Sequence, residues 1–312
     1  MLICSINVDM VNDFATKTLT ENNQVITVTA PEKEGLANPS AEELLAIRDK
    51  VIASEIDPYE DNVVKEPLIP EGTQLKGSRV KKTHVDKLFG TTEWTLANGV
   101  KIVVKPTTFK ADEVLMSAVA KGGLSLLSNE DYYMGSIMPA INLMSGVGKF
   151  STTELRKQLS GKAASVAPSV SNYNSSMSGS ASPKDLETML QLLYLHFTQP
   201  RFDRTDYDKL MTMFRASLAN SESDPDFQMQ THILKAVYGD NPRRQNITPE
   251  LLDTFDFERL PAIYSKLYNG ANSFVFTFVG NVDPETLKPL VEKYIGSLPT
   301  TKKPMNWIDD KT

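Results

Sequence analysis

The residue types that bind metals are few and far apart in this chain. There are three histidines, His84, His196 and His232, and one cysteine, Cys4. No two histidines lie within a helical turn or two of each other. The spacings HExxH and HxxEH, by which one helix face presents two imidazoles to zinc, are both absent. A lone cysteine also excludes an internal disulfide and a thiolate metal cluster. The sequence therefore predicts no metal site.

Nucleophilic and phosphate-binding motifs are absent as well. Serines are plentiful, but no G-x-S-x-G turn accompanies them. The stretch KGGLSLLS (121–128) has too few glycines for a phosphate-binding loop, and SGVGKFS (145–151) follows a predicted helix rather than a strand, which argues against a nucleotide site. We expect His196 and His232 to be ordinary structural residues, and His84 to lie in a linker.

The stretch DYYMGSIMPAINLMSG (131–146) raises a separate question. It has helical periodicity, but its only acid is Asp131, and it has no histidine or cysteine. Pro139 removes one helical hydrogen bond and predicts a kink. The pattern predicts a packed helix that carries no chemistry of its own.

The elements around this helix follow a regular order from about residue 88. TTEWTLANGVKIVVKP (91–106) predicts a hairpin around Asn98-Gly99, and DEVLMSAVAKGG (112–123) a third strand. Helices are predicted at 129–145, 183–198, 204–220, 226–238 and 256–268, with further strands in AASVAPSV, SSMSGSAS and SFVFTFVG. Strands interrupted by blocks of helices predict an α+β fold, a two-layer sandwich of an antiparallel sheet and helices.

An internal match suggests how the chain is organised. Residues 11–31 align without a gap on residues 260–280, and both segments predict a helix, a polar break with an asparagine (Asn23, Asn272), and a strand. An offset of this size suits a duplicated domain. We therefore predict four segments: the C-terminal helix and strand of a preceding domain, a linker with one helix, a complete domain, and the start of a next linker. Their bounds are 1–34, 35–87, 88–300 and 301–312.

Six short motifs in this order resemble one domain of the M16 metallopeptidases, the family of pitrilysin and the mitochondrial processing peptidase. They are WTLANGVKIVVKP (94–106), VAKGGLSLLS (119–128), FTQPRFDRTDYDKLM (197–211), SDPDF (223–227), VYGDNPRR (237–244) and SFVFTFVGNVDPETLKPLVEKYIGSLP (273–299). The resemblance covers about 88–300, and residues 1–34 resemble the end of the preceding domain. It implies the LuxS/MPP-like metallohydrolase fold.

The resemblance also places the family's zinc motif on this chain. Active members carry HxxEH and a distant glutamate; two histidines and that glutamate bind zinc, and the motif's own glutamate activates water. The family segment that follows the motif matches GVGKFSTTEL (146–155), which places the motif itself on IMPAI (137–141). Ile137 and Ile141 then replace the histidines, and Ala140 replaces the glutamate. Ser217 replaces the distant glutamate. The resemblance thus implies a domain with no catalytic residues and no metal ligands.

The implied function is that of a non-catalytic domain in an M16-type zinc metalloendopeptidase. Such a domain would wall a chamber for unfolded peptides and contact extended substrate. The candidate contacts are Tyr132, Tyr133, Arg243 and Arg244. One alternative is a structural subunit or peptide-binding scaffold without peptidase activity, and another is a hydrolase that uses unrecognised residues. An HxxEH motif encoded upstream of Met1 would favour the peptidase domain over the structural subunit.

Charge and hydropathy limit the partners and the location. The formal net charge of −6 argues against a nucleic-acid partner, and no apolar run approaches the ~20 residues that span a bilayer. The expected partners are a catalytic half, on the same polypeptide or as a separate subunit, and a peptide substrate. Zinc is expected only in that catalytic half. The N-terminus lacks the features of a signal peptide, and the fragment alone leaves the location unknown. We expect the cytoplasm or the periplasm, with the periplasm favoured if a signal peptide lies upstream.

Overall fold

The chain forms two compact units, Met1–Asp61 and Asn62–Thr312. The computed structural model describes residues 6–18, 20, 22, 24–30, 35, 37–55, 66–219 and 221–309. No helix among these residues is long and apolar enough to cross a membrane.

The first unit contains two helices, α1 (Val8–Thr18) and α2 (Ala41–Ile52). A capping box starts α2: the Glu43 N–H donates to Ser40 Oγ (3.2 Å), and the Ser40 N–H donates to the Glu43 carboxylate (2.7 Å). Residues 24–30 form no strand here, contrary to the strand expected at that point, while Asn23 and residues 31–34 lie outside the described residues. No described residue of this unit is buried, so its helices are defined by local hydrogen bonds rather than by a core.

The second unit contains seven strands and eight helices within the described residues. The strands are β1 (Val80–Asp86), β2 (Thr91–Leu96), β3 (Lys101–Pro106), β4 (Val114–Lys121), β5 (Ala164–Val170), β6 (Asn174–Ala181) and β7 (Phe274–Gly280). The helices are α3 (Asn129–Ser145), α4 (Thr152–Gln158), α5 (Leu186–Thr198), α6 (Arg204–Leu218), α7 (Pro225–Tyr238), α8 (Pro249–Asp253), α9 (Leu260–Leu267) and α10 (Pro284–Lys293).

All seven strands form one sheet in the order β1-β2-β3-β7-β4-β6-β5. Every neighbouring pair is antiparallel except β3 and β7, which run parallel. Residues of β4 alternate between buried and exposed, because one face of the sheet packs on helices and the other faces solvent. The predicted α+β sandwich of a sheet and a helical layer is confirmed.

The predicted linker of residues 35–87 is wrong at its C-terminal end. Residues 80–86 are the first strand of the sheet, antiparallel to β2, and His84 lies on that strand rather than in a linker. Leu68, also assigned to the linker, is buried in the core of the second unit. The sequence VKKTHVD lacks an apolar alternation because β1 is an edge strand with almost no buried side chain, so its pairing leaves little hydrophobic signal.

The C-terminal segment also belongs with the domain. The Thr301 N–H donates to Asn272 Oδ1 (2.8 Å), and the Ile308 N–H donates to Ser125 Oγ (3.0 Å). Residues 301–309, predicted as the start of a linker, are therefore attached to the second unit along this stretch.

Helix α3 lies deep in the helical layer. The Ser128 hydroxyl caps its N-terminus by accepting from the Asp131 N–H (3.3 Å). Gly135 permits close packing, since a Cβ there would stand 2.3 Å from Leu127 Cδ1. Pro139 is buried within the helix, which continues past it to Ser145. The boundaries agree with the helix predicted over 129–145.

Candidate functional site

Three of the four positions aligned with the zinc motif lie on α3, and the fourth lies on α6, which packs against α3. Ile141 is fully buried, with 0% of its surface exposed, and Ile137 is partly buried against the same core. Ala140 and Ser217 are exposed. The helix predicted over 131–146 is thus packed at Ile141, whereas Ala140 and Ser217 lie on the solvent side of their helices.

The side chains at these positions do not suit a zinc ion. Zinc in proteins is bound by imidazole, thiolate or carboxylate groups, whereas these four positions supply three hydrocarbons and one hydroxyl. Elsewhere in the described ranges, no group of three or more histidine, cysteine, aspartate or glutamate residues is arranged to hold a metal. The donor set thus disagrees with the chemistry of the family's active members, and no catalytic step follows from these residues.

The three histidines lie on three separate elements. His84 on β1 and His232 on α7 are exposed, whereas His196 on α5 has only 3% of its surface exposed. Burial lowers the pKa of His196 to about 4, although a hydrogen bond to the backbone of Val166 partly opposes that shift. His196 is therefore neutral near pH 7 and packs as a structural residue, as the sequence predicted.

Tyr132 and Tyr133, the aromatic candidates for substrate contact, are both buried at the start of α3. The Tyr132 hydroxyl donates to Asn172 Oδ1 (2.8 Å). The Tyr133 hydroxyl donates to the Gln245 carbonyl (2.7 Å) and accepts from the Gln245 N–H (2.9 Å). Burial raises the pKa of Tyr133, so the phenol keeps the proton that it donates. Both rings join α3 to distant loops.

The two arginine candidates follow each other in the loop after α7 but contact different aromatic rings. The Arg243 guanidinium donates to Asn129 Oδ1 (2.7 Å) and to the Leu127 carbonyl (2.7 Å), and it lies 5.2 Å from the Tyr132 ring centre. Arg244 lies 5.7 Å from the ring of Tyr238. The loop that follows α7 is thereby fixed against the N-terminus of α3.

The structure thus brings Tyr132, Tyr133 and Arg243 together, but apart from the motif positions one to three turns further along α3. Substrate contact by these residues, and by Arg244, stays a prediction. Their observed partners include Asn172 and Gln245, which sequence reasoning did not single out. No local pattern marks either residue, because each acts through a contact with a residue at least 40 positions away.

The sheet and helical layer of the second unit form the fold that the resemblance implied, and comparison with known proteins finds M16 peptidases among the similar proteins. The sequence model of the Peptidase M16 inactive domain matches residues 254–312. The predicted resemblance to M16 peptidases is confirmed.

The similar curated proteins are all zinc proteases of the PqqL type. A zinc protease PQQL-like protein of Arabidopsis thaliana is 25% identical over 253 residues, which is 80% of this chain and 24% of that protein. The probable zinc protease PqqL of Escherichia coli is 23% identical over 226 residues, or 72% of this chain and 24% of that protein. The chain spans about a quarter of the length of these relatives.

Solved structures share the fold. The periplasmic protease PqqL from Escherichia coli superposes with a TM-score of 0.70 at 18% identity, covering 86% of this chain and 29% of that one. The ferredoxin protease FusC, in complex with Arabidopsis ferredoxin, has a TM-score of 0.67 at 17% identity, with 88% and 30% covered. An M16 inactive domain from Pseudomonas fluorescens has a TM-score of 0.54 at 16% identity, with 70% and 54% covered.

Proposed function

We propose that this chain is a non-catalytic part of a longer M16-type zinc metallopeptidase, in which it walls the peptide-degradation chamber and contacts extended substrate. One observation carries the proposal: the peptidase fold is kept, while hydrocarbon and hydroxyl side chains occupy the positions aligned with the zinc ligands and the catalytic base. The family description, Peptidase M16 inactive domain, supports it.

In this role the chain forms part of the chamber wall and contacts the substrate, but it provides no catalytic group. A buried Ile141 and a continuous α3 give a rigid helical layer beneath the sheet. Rigid walls preserve the relative positions of substrate and catalytic groups that are supplied from elsewhere, and misplacement by ~1 Å is enough to slow an enzyme strongly. Zinc and its ligands would belong to a catalytic half, on the same polypeptide or on a separate subunit.

The relatives suggest the substrate class and the location. FusC is described as a ferredoxin protease and its structure contains ferredoxin, and PqqL of Escherichia coli is described as periplasmic. By analogy, we propose that the parent of this chain acts on protein or peptide substrates. A periplasmic location is favoured for a parent that carries a signal peptide.

Cleavage of a quenched fluorescent peptide tests this proposal. The full parent protein is compared with a version lacking residues 62–312, and with this chain alone. We expect turnover by the full parent and none by this chain, with the deletion reducing kcat/KM by about 100-fold or more, because the chamber is incomplete. Full activity of the deleted version, or peptide cleavage by this chain alone, would contradict the proposal. A parent inactive in every form would support the structural-scaffold alternative.

A further inference from the structure

The sheet of the second unit has two edges, β1 and β5, and they differ in what they offer to an incoming strand. An edge strand presents unpaired N–H and C=O groups, to which an extended peptide can add by backbone hydrogen bonds. Whether an edge accepts a peptide depends on which of these groups point outward and whether they are already occupied.

The β5 edge is closed by three features. Pro168 pairs with Met177 of β6 but has no N–H, so its nitrogen takes a position that faces away from β6. Val166, two residues earlier, faces the same way, and the buried His196 already hydrogen-bonds its backbone. Helix α3 also packs against this strand. An added strand would therefore lack a donor at the centre of β5 and would compete with His196 for Val166.

The hairpin of β2 and β3 shows which backbone N–H and C=O groups of β1 point out of the sheet. The Leu96 N–H donates to the Val100 carbonyl (2.9 Å), and the Leu96 carbonyl accepts from the Gly99 N–H (3.0 Å), so the backbone groups of Leu96 face β3. Because backbone direction alternates along a strand, those of Thr95 and Glu93 face β1.

The β1 residues that pair with Thr95 and Glu93 determine which backbone groups of β1 point outward. Thr95 pairs with Lys82, and Glu93 pairs with His84, so the backbone groups of Lys82 and His84 are used within the sheet. Those of Thr83 and Val85 face outward. In the part of the chain that the structure describes, neither residue has a hydrogen-bond partner on that side. No proline interrupts the seven residues of β1.

The residues around this open edge are strongly basic. Residues 76–87 hold five cations and one acid, Asp86, in a chain whose formal net charge is −6. The cations are Lys76, Arg79, Lys81, Lys82 and Lys87. None of them forms an ion pair with another described residue, although Glu93 lies opposite His84 on β2.

We propose that the β1 edge binds an extended acidic peptide, which adds to the sheet as an eighth strand. The outward N–H and C=O groups of Thr83 and Val85 would supply the backbone pairing, and the surrounding cations would select acidic side chains. This binding site does not depend on the proposed function, because a scaffold without an associated peptidase would offer the same edge.

The same charges argue against pairing between two copies of the chain. Edge lysines are a common means by which proteins prevent edge-to-edge association, and two β1 strands would bring Lys81 and Lys82 of each copy together. An acidic partner turns this repulsion into attraction. Binding should therefore weaken as salt screens the charges.

Fluorescence anisotropy with labelled peptides tests the proposal on the full chain. The probe is a synthetic peptide of about seven residues that alternates glutamate and valine, and its counterparts are the lysine–valine peptide and a fully N-methylated glutamate–valine peptide. We expect the acidic peptide to bind, with affinity falling at least about tenfold between ~20 mM and ~300 mM salt. The other two peptides should bind at least about tenfold more weakly, because one has the wrong charge and the other has no N–H donors.

Two variants locate the binding site. Thr83→Pro removes one outward N–H while leaving the β1–β2 pairing intact, as Pro168 does in β5. Thr83→Pro should weaken the binding of the acidic peptide at least about tenfold. The matched variant Thr83→Val keeps the N–H and should bind the peptide as tightly as the original chain does. Circular dichroism checks that both variants fold.

Several results would overturn the proposal. Equal binding of the N-methylated peptide would show attraction by charge alone, and equal binding of the lysine peptide would remove the role of the cations. Unchanged binding by a folded Thr83→Pro would place the site elsewhere. A concentration-dependent dimer that Thr83→Pro abolishes would show that a second copy occupies the edge. If Thr83→Pro does not fold, the two counterpart peptides still decide the outcome.

Discussion

Ile141 and Ala140 are neighbours on α3, yet they lie on different sides of the helical layer. Ile141 is fully buried in the core, whereas Ala140 is exposed, as is Ser217 on the adjacent helix α6. The histidines divide in the same way, with His196 in the interior and His232 on the surface. The aligned motif positions are therefore divided between the interior and the surface of the helical layer, and so are the histidines.

This difference shows which substitutions at the motif are constrained by folding and which are not. At Ile141 a histidine would replace packed hydrocarbon with an imidazole that needs partners. At Ala140 and Ser217 a carboxylate could remain in water. Zinc-binding side chains would therefore disturb packing at Ile141, whereas at Ala140 and Ser217 they would change only an exposed side chain.

The largest effect is expected at the inner motif position. Ile141→His should lower the free energy of unfolding by about 2–5 kcal/mol, because core methyl groups are lost and an imidazole is buried without partners. Urea denaturation measures the change, and Ile141→Val, expected to cost about 1 kcal/mol, is the matched control. If Ile141→His were as stable as Ile141→Val, this region would not be a packed core.

The next effect is the pH dependence of the buried histidine. The folded-state pKa of His196, about 4, lies below the ordinary 6.5, so the unfolded chain takes up a proton at a pH where the folded chain does not. The associated stability is present above pH 6.5 and is lost as the pH falls towards 4, to a total of about 3 kcal/mol.

The measurement is the free energy of unfolding between pH 7 and about 4 for the original chain and His196→Gln. The original chain should lose more stability with acid than His196→Gln. Parallel pH profiles for the two proteins would contradict a neutral, buried His196.

A smaller loss is expected where α3 meets the loop after α7. Tyr133→Phe removes the hydroxyl that binds both the N–H and the carbonyl of Gln245, and should cost about 1–3 kcal/mol in the free energy of unfolding. Tyr238→Phe, at an exposed ring, should stay within about 0.5 kcal/mol of the original chain. A neutral Tyr133→Phe would leave Tyr133 available for the substrate contact that its sequence position suggested.

The smallest effects are expected on the outer face. Ala140→Glu and Ser217→Glu should each change the free energy of unfolding by no more than about 0.5 kcal/mol, because both side chains reach solvent. Thermal melts of the two single variants test this. A loss of several kcal/mol at either position would mean that the outer face is packed after all.

Sequence patterns predicted most of the helices and strands because their periodicity reflects a single sheet with one buried face. The buried alternation of β4 and the caps Ser40 and Ser151 are local signals. The strand β1 was missed because it buries almost nothing. The insertion of β7 between β3 and β4 joins residues more than 150 positions apart, and no local pattern encodes that pairing.

The candidate site was less predictable than the fold. Helical periodicity located α3, and the placement of the zinc motif on it stays a prediction; the exposure of Ala140 depends on how α3 and α6 pack. The roles of Tyr132 and Tyr133 depend on hydrogen bonds to Asn172 and Gln245, which lie 40 and 112 residues away along the chain.

The zinc content of the purified chain tests most directly the claim that this domain lacks the zinc chemistry of active M16 peptidases. After incubation with zinc and extensive dialysis, elemental analysis should find well under one equivalent per chain, because the aligned positions Ile137, Ala140, Ile141 and Ser217 provide no suitable ligands. One tightly held zinc per chain, lost in His196→Gln or His232→Gln, would contradict the account and show a metal site that neither the alignment nor the fold indicates.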